Sequence, residues 1–463
     1  MILCQDKEEL SYTCVINNHP LGGVFRLPLA IMDHKEKPRA PYGRPDKIEK
    51  MGLTSQEAEI ITATVPILEE HGRHIIDVFY VNMLREVPEL NSVFNQTNQA
   101  NGRQSQALST ALYAYAANIN NLDVLKPALE RICQKHASLY VRPEHYDIVG
   151  KYLLAAMQQV LGAALTPEIL EAWRAAYGQI ADLMMNREAK LYQGSDGWTD
   201  WRDMKIAKKV RESEEVTSFY LEPCDGKPLP SFLPGQYISV RTEVPELKYQ
   251  QARQYSLSKA PTPDHYRISV KREGGFDPKR PDAPAYPGCI SNILHCHKEV
   301  GDTVQVSHPA GEFFLDITDE NDQAPVVLLS AGVGLTPLLS ILESLVEKGD
   351  KRRISWVHAA RNSKVHAFKE HIRKHVTQND NVRQGVFISR PDEQDKKRED
   401  YIEGRLDLKK LNSREDLMLH DDDTKYYICG PEGFMADLEK ALRERGVDPK
   451  RINMEVFGAG TAA

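Results

Sequence analysis

A change in hydrophobic periodicity at residues 194–198 constrains this sequence more than any other feature. From 54 to 193, apolar residues recur every three or four positions, which predicts a helical segment of about 140 residues. Short runs of alternating apolar and polar residues follow, separated by turn residues, as in a small antiparallel barrel. From about 323, strand patterns alternate with helices predicted at 337–347, 364–375 and 431–445, which indicates a parallel α/β sheet. The expected fold is therefore multidomain: all-α, then antiparallel β-barrel, then α/β parallel sheet.

Helix-start and linker signals set the expected domain boundaries. Thr54 and Glu57 form a capping box, and Pro66 is expected to kink the first helix. The residues before Met51 lack sustained periodicity and end in a charged, proline-rich stretch typical of flexible segments. We expect a flexible N-terminal extension at 1–50, an all-α domain at 51–193, a barrel domain at 199–320 and an α/β domain at 321–463.

Composition excludes several classes of partner. The net charge of −7 with no basic run makes the chain a poor binder of nucleic acid or anionic membranes. The seven cysteines are scattered without a CxxC motif, which favours a reducing compartment. The longest apolar stretch, 326–342, is interrupted by Gly, Ser, Thr and Pro, so it predicts a buried strand, turn and helix rather than a membrane span. We expect a cytoplasmic monomer.

The stretch RQYSLS (253–258) lies in a predicted barrel strand and has the donors that a flavin dinucleotide requires. Arg253 can pair with a pyrophosphate, Tyr255 can lie against a ring, and Ser256 can donate a hydrogen bond. An ordinary strand with an exposed arginine is the alternative. The preceding PGQY and the later GCISN, which opens a helix, complete a pattern that resembles the flavin domain of the ferredoxin-reductase family. The resemblance implies an FAD site formed by Tyr237, Arg253, Gln254, Tyr255, Ser256, Ile290, Ser291 and Asn292.

Two turns in the α/β part are of the kind that binds a nucleotide. AGVGLTP (331–337) reads as strand, Gly-x-Gly turn and helix, with Thr336 as the expected cap, although Pro337 stands where the dinucleotide fingerprint has a third glycine. CGPEGFM (429–435) is a second strand-end turn. The alternative is a pair of tight βα turns without a ligand. Both resemble the pyridine-nucleotide domain of the same reductases, which implies an NAD(P)H site at Gly332, Val333, Gly334, Leu335, Thr336, Pro337, Cys429, Gly430 and Pro431.

Arg361 follows the second predicted strand of the α/β sheet. A cation there can meet the 2′-phosphate of NADPH, and a solvated loop charge is the equally ordinary alternative. The preference between NADH and NADPH stays open. His295, Cys296 and His297 are adjacent on a predicted helix and point apart, so they do not predict a metal site.

His136, in QKHASLYVRPEHYDIVG (134–150), has no second metal ligand at suitable spacing. A lone histidine on an apolar helical stripe is usually a core residue. Haem iron, however, needs only one strong axial nitrogen from the protein. Tyr80 and Gln104 add polar groups among apolar residues, and Glu188 is a possible acceptor for the other ring nitrogen.

With these residues in place, 51–193 resembles a bacterial- or fungal-type globin, and 51–463 resembles the flavohaemoglobin family. The resemblance implies that His136 is the proximal haem ligand and that Tyr80 and Gln104 form the distal polar pair. Tyr146 and Glu188 would form a hydrogen-bonded set behind His136.

The same resemblance assigns the remaining site residues. Phe94 would pack on the haem, and Leu108 would crowd its distal side. Lys135 and Glu455 would be a pair of charges near the junction of haem and flavin. The chain departs from the bacterial pattern in a proline-rich insertion, 276–287, and in a tail that reads EVFGAGTAA. The tail residues implied to lie near the flavin are Glu455, Val456, Phe457 and Gly458.

The resemblance also implies the activity. The cofactors would be haem b, FAD and NAD(P)H, with electrons passing from NAD(P)H to FAD to haem. O2 bound at the haem would oxidise nitric oxide to nitrate. Two alternatives remain: an oxygen-binding or sensing globin with its own ferric-haem reductase, and a general NAD(P)H flavin reductase.

Overall fold

The structure is a computed structural model that describes residues 52–95, 98–99, 101–245, 247–275, 288–319 and 322–457. The predicted extension at 1–50, the insertion at 276–287 and Gly458 lie outside these residues. The described part has the three predicted architectures in the predicted order: helices, an antiparallel sheet and a parallel sheet. The exact domain boundaries stay predictions. No described helix is long and apolar enough to cross a membrane.

The helical part begins at the predicted capping box. Thr54 accepts a hydrogen bond from the backbone of Glu57, whose side chain accepts from the backbone of Thr54. The predicted kink at Pro66 is instead a break at Thr64, because proline favours the first turn of a new helix. The helices are α1 (Ser55–Ala63), α2 (Val65–Glu86), α3 (Arg103–Ala117), α4 (Lys126–Ser138), α5 (Pro143–Leu161) and α6 (Pro167–Gln193).

Two apolar clusters hold the helices together. The larger one packs α2, α3 and α5 around residues such as Phe79, Met83 and Met157, all of which are buried. A smaller one, with Cys133 and Met184, joins α4 to α6. This second cluster matters for function because it brings the His136 turn of α4 against the C-terminal half of α6.

The antiparallel sheet has the strand order β4-β3-β6-β1-β2-β5. A bridge between Leu257 and Ile268 connects the two outer strands, so the sheet closes on itself as a barrel. Strand β1 was not predicted, because a bulge between Ile206 and Lys208 interrupts its alternation. The elements are β1 (Arg202–Arg211), β2 (Val216–Pro223), β3 (Tyr237–Val244), β4 (Tyr249–Ser256), β5 (Tyr266–Lys271), β6 (Thr303–Val306) and helix α7 (Cys289–Cys296).

The parallel sheet has the strand order β10-β9-β8-β7-β11-β12. The order reverses between β7 and β11, and this is the point where α/β sheets bind nucleotides. Two sequence expectations were wrong in detail. The helix expected from 364 begins at Lys369, since Phe368 has a left-handed backbone with φ of 60°. The short strand β10 was not predicted. The elements are β7 (Val326–Ala331), α8 (Leu335–Lys348), β8 (Ile354–Ala360), α9 (Lys369–Gln378), β9 (Val382–Ile388), β10 (Tyr401–Glu403), β11 (Lys425–Cys429), α10 (Glu432–Arg443) and β12 (Ile452–Glu455).

Candidate functional site

His136 lies in the last turn of α4 and shares a hydrogen-bonded set with two residues from other helices. Its Nδ1 is 3.0 Å from Oε1 of Glu188 and 3.0 Å from the hydroxyl of Tyr146. The Tyr146 hydroxyl donates to the same Glu188 oxygen over 2.6 Å. Because the carboxylate can only accept, Nδ1 carries the proton, and Nε2 keeps its lone pair for a ligand.

Burial fixes the protonation state of Tyr146 within this set. Glu188 is 3% exposed, and the Tyr146 hydroxyl satisfies part of its hydrogen-bonding capacity. Burial, reinforced by the charge of Glu188, holds the pKa of Tyr146 far above its usual value. Tyr146 therefore stays protonated and remains a donor at any physiological pH.

A second polar cluster lies on α2 and near the start of α3. Burial raises the pKa of Tyr80 to about 12, while side-chain hydrogen bonds with Gln104 and Gln99 oppose the rise. The ring of Phe94 meets Tyr80 edge-on, with the centroids 5.6 Å apart. Tyr80 is thus a neutral hydroxyl in an apolar setting, with the amide side chains of Gln104 and Gln99 beside it.

This donor set fits a haem. One imidazole nitrogen is left for the iron, a buried phenol can donate to a small ligand, and Phe94 and Leu108 pack against the same apolar cluster as Tyr80. A zinc site would need further ligands of the protein near His136. Within the described residues, the group of side chains with metal-ligating geometry lies elsewhere, around His371.

The predicted flavin residues lie on two paired strands and on α7. Tyr237 on β3 faces Ser256 on β4, and Gln254 and Arg253 lie two and three positions before Ser256 on the same strand. Burial lowers the pKa of Arg253, which identifies a guanidinium held away from solvent. Burial also raises the pKa of Tyr255, so its hydroxyl stays neutral. A cation at this position can pair with a diphosphate, and the neighbouring aromatic residue can lie against a flavin ring.

Helix α7 brings the other predicted flavin residues to the barrel. Ile290 is buried, while the Ser291 hydroxyl accepts from the backbone of Glu273 over 3.2 Å. The Asn292 amide donates to the carbonyls of Glu273 (2.9 Å) and Gly288 (3.0 Å). These side chains therefore fix the loop ends at the start of the helix, where backbone N–H groups are available to an anion.

The two predicted nucleotide turns meet at the switch point of the parallel sheet. A Cβ on Gly334 would overlap the carbonyl of Cys429, and one on Gly430 would lie 3.2 Å from Cβ of Ala331. Only glycines allow the turns to approach this closely. The expected cap at Thr336 was wrong: a 3-10 turn runs into α8 from Gly334, and Thr336 instead donates to the carbonyl of Val333 over 3.0 Å. Pro337 lies in the first turn of the same helix.

Arg361 pairs with Glu215, which precedes β2 of the barrel. Its side chain is 48% exposed, so the pair is open to solvent. The structure therefore places a cation at the end of β8, as predicted, and adds an ion pair across the two sheets. The 2′-phosphate of NADPH would have to compete with the Glu215 carboxylate for the guanidinium of Arg361.

Charged groups gather where the helices meet the barrel and the end of β12. Burial, with a contribution from Glu312, raises the pKa of Glu455 to about 8, while Arg131 and Lys135 oppose the rise. Burial lowers the pKa of Lys135, and Glu455 opposes that change. The predicted Lys135 and Glu455 are thus electrostatically coupled.

The last described residues follow this junction. Val456 packs against the apolar cluster behind β11, and Phe457 is 42% exposed. An exposed aromatic ring just after the junction is free to lie against a ligand.

The two parts of the chain match known families. A globin family model matches residues 77–184, and a model of the oxidoreductase NAD-binding domain matches residues 328–440. The flavohemoprotein of Bordetella parapertussis is 48% identical over 89% of this chain and 100% of its own length. That of Bacillus subtilis is 41% identical over 88% of this chain and 98% of its own.

This chain belongs to the flavohemoprotein family. A flavohemoglobin from Malassezia yamatoensis, solved with bound FAD and heme, covers 88% of this chain and 100% of its own, with 28% identity and a TM-score of 0.76. The fold class and the cofactors predicted from the sequence are confirmed: haem, FAD and NAD(P)H serve an oxidoreductase with a globin domain. The roles of individual site residues stay predictions.

One contact of this flavohemoprotein was missed by sequence reasoning. Gln99 joins Gln104 at the Tyr80 hydroxyl. Its only signal was a second amide in the same polar run, and periodicity cannot show which of several neighbouring amides turns inward.

Replacing Arg361 by glutamate is expected to raise the Michaelis constant for NADPH more than that for NADH. The change removes the cation that can meet the 2′-phosphate and adds a carboxylate beside Glu215. Steady-state reduction of an artificial acceptor with each nucleotide measures the effect. In the matched variant Glu215→Gln, which releases Arg361 from its partner, the constant for NADPH should fall. Equal effects on both nucleotides would refute the assignment.

Replacing Glu455 by glutamine is expected to flatten the pH profile of haem reduction. With a pKa of about 8, Glu455 is neutral at pH 7 and ionised at pH 9. An ionised carboxylate opposes the arrival of an electron, so the native rate should fall as pH rises through 8. Stopped-flow reduction by NADH between pH 6.5 and 9, at about half-unit steps, tests this. The exposed Glu444→Gln should behave like the native protein, and an inflection that persists in Glu455→Gln contradicts the prediction.

Proposed function

We propose that this chain is a nitric oxide dioxygenase: one electron from NAD(P)H, one O2 and one nitric oxide give one nitrate. The observation that carries the proposal is the His136–Glu188 pair at 3.0 Å in a chain that also holds its own reductase. A carboxylate behind the ligand makes the imidazole a stronger electron donor, which favours oxygen chemistry over simple storage.

When bound, the haem supplies an iron that takes O2, and FAD accepts a hydride and passes electrons on singly. The side chains of the protein orient the imidazole and hold protons in place. Glu188 holds the proton on Nδ1 of His136, and Tyr146 keeps the carboxylate in place. Tyr80, neutral up to a pKa of about 12, has a hydroxyl proton for a ligand that gains negative charge.

Direct contacts between α4 and the barrel support electron transfer within one chain. Ser239 on β3 donates to the hydroxyl of Ser138 over 3.0 Å, and the backbone of Gly311 donates to Gln134 over 3.0 Å. Both partners flank His136 on α4. Gln254, a predicted flavin residue, donates to Ser239 over 3.2 Å. A short bonded path therefore leads from the flavin strands to the ligand helix.

Nitric oxide should trigger steady NADH consumption in the purified protein, with nitrate as the product. A nitric oxide electrode and absorbance of NADH measure both rates. In Glu188→Gln we expect about a tenfold lower rate, because the amide oxygen accepts the hydrogen bond from Nδ1 without carrying a charge. Tyr146→Phe keeps the carboxylate and should lose less. Equal rates in Glu188→Gln and the native protein would contradict the role that the proposal gives to the His136–Glu188 pair.

An oxygen-binding or sensing globin that merely keeps its iron ferrous would consume NADH only to restore oxidised haem. Addition of nitric oxide would then give a burst instead of a steady rate. A general flavin reductase would reduce external acceptors equally well without haem. A monomer in the cytoplasm, with the domain boundaries given above, completes the proposal. The described Cys133, Cys224, Cys296 and Cys429 are free, which supports a reducing compartment.

A further inference from the structure

We propose that Glu343, His371 and His375 form a binding site for a divalent zinc-type cation, separate from the haem and nucleotide sites. Nε2 of His371 lies 2.7 Å from Oε1 of Glu343 and 3.2 Å from Nε2 of His375. The three ligand atoms all lie within 4.8 Å of one another. Tetrahedral zinc with bonds of 2.0–2.2 Å holds its ligand atoms about 3.3 Å apart. Small rotations of the two imidazoles would reach that geometry.

The helical backbone brings two of these residues together. His371 and His375 stand four positions apart in HIRKH on α9, so they share one face of the helix, as in other helical metal sites. Glu343 lies on the neighbouring helix α8 and is 3% exposed. His371 is 40% exposed, so an ion can enter from solvent. One buried carboxylate and two accessible imidazoles are a usual zinc ligand set.

Both hydrogen bonds within the cluster converge on Nε2 of His371. If Nε2 of His371 carries a proton, it donates to Glu343 at 2.7 Å, and the nitrogen of His375 must share that proton. If it does not, its lone pair faces a carboxylate oxygen. A single proton cannot link three acceptor atoms at full strength, whereas a cation accepts a lone pair from each.

The charges around the cluster are balanced enough to admit a cation. Arg267 on β5 donates to Oε1 of Glu343 over 2.8 Å, which opposes binding. Glu212, which directly follows β1, adds a carboxyl group that interacts with Arg267, His371 and Glu343. Lys374, beside His375, is the other nearby positive charge.

Occupation of the site would tie the two reductase sheets together. Glu343 already receives the backbone N–H of Ala260, 3.3 Å away, just after the strand that carries Ser256. A cation would add α9 to this contact. We therefore expect zinc to stabilise the reductase part without changing haem ligation.

Zinc titration of the full holoprotein, with a chromophoric chelator as competitor, tests the site. We expect one tight site per chain, and at least tenfold weaker binding in both His371→Gln and His375→Gln. The control His74→Gln alters an exposed histidine on α2 and should bind zinc like the native protein. Glu343 is left intact because its loss would also free Arg267. Unchanged zinc affinity in both α9 variants would overturn the proposal.

Two further measurements keep the result interpretable. Saturating zinc should raise the melting temperature by a few degrees in the native protein and the control, and not in the α9 variants. Anomalous diffraction at the zinc edge should place the ion between α8 and α9. A peak elsewhere, or a variant whose haem and flavin spectra are intact but whose zinc-induced shift is undiminished, would refute the site.

Discussion

Replacement of His136 by alanine is expected to abolish the Soret band of the purified protein and all nitric oxide turnover. His136 is the residue whose free imidazole nitrogen faces away from the Glu188–Tyr146 pair, and no other described side chain joins that set. Loss of the axial nitrogen removes the only strong bond proposed between chain and iron. Absorption spectra and a nitric oxide electrode measure both losses.

The flavin half of the protein supplies the internal control. The reductase residues lie on other elements, so NADH should still reduce bound FAD in His136→Ala, and artificial acceptors should still be reduced. His74→Ala, on the exposed face of α2, should match the native protein in every assay. Retention of a normal Soret band in His136→Ala would assign the haem ligand to another residue.

Replacement of Tyr80 by phenylalanine is expected to lower nitric oxide consumption about a hundredfold, with haem content unchanged. Removal of one preorganised donor from a water-poor site typically has an effect of this size. The phenylalanine ring keeps the contacts with Phe79 and Phe94, whose centroids lie 4.7 and 5.6 Å from that of Tyr80. The effect should therefore be chemical and not a loss of packing.

Two measurements separate the role of the hydroxyl from simple disruption. Oxygen dissociation should become faster in Tyr80→Phe, because the donor that holds the bound ligand is gone. Tyr113→Phe, which changes a 37% exposed tyrosine on α3, should leave both rates unchanged. Unaltered nitric oxide turnover in Tyr80→Phe would exclude the proposed role.

The fold was predictable because each part has a distinct periodicity. The capping box at Thr54 and the tight turns at Gly334 and Gly430 are local patterns, and local patterns can be read from a sequence. Errors arose where one residue interrupts a pattern. The bulge after Ile206 interrupts the alternation of β1, so this strand was not predicted. The left-handed backbone of Phe368 makes α9 begin later in the sequence than predicted.

The site was predictable only in part, because its residues are distant in sequence. His136 and Glu188 are 52 positions apart, and the resemblance to a family, rather than spacing, suggested that they meet. The Arg361–Glu215 pair had no such guide, since it joins two sheets. The cluster of Glu343, His371 and His375 was not predicted, because Glu343 lies on α8 and comes close to the histidines of α9 only in the folded protein.

Helix α4 contacts the barrel on one side and carries His136 on the other. Gln134 and Ser138 lie four residues apart on the face that bonds the barrel, and His136 lies between them on the other side. A reductase taken from another protein could not simply be joined to this globin. The new reductase would need a backbone donor at the position of Gly311 and a hydroxyl at the position of Ser239. Without these two contacts, α4 would change its orientation, and the imidazole of His136 would move with it. Exchange of modules between such proteins is therefore constrained by one short helix, and chimaeras should regain activity when those two contacts are restored.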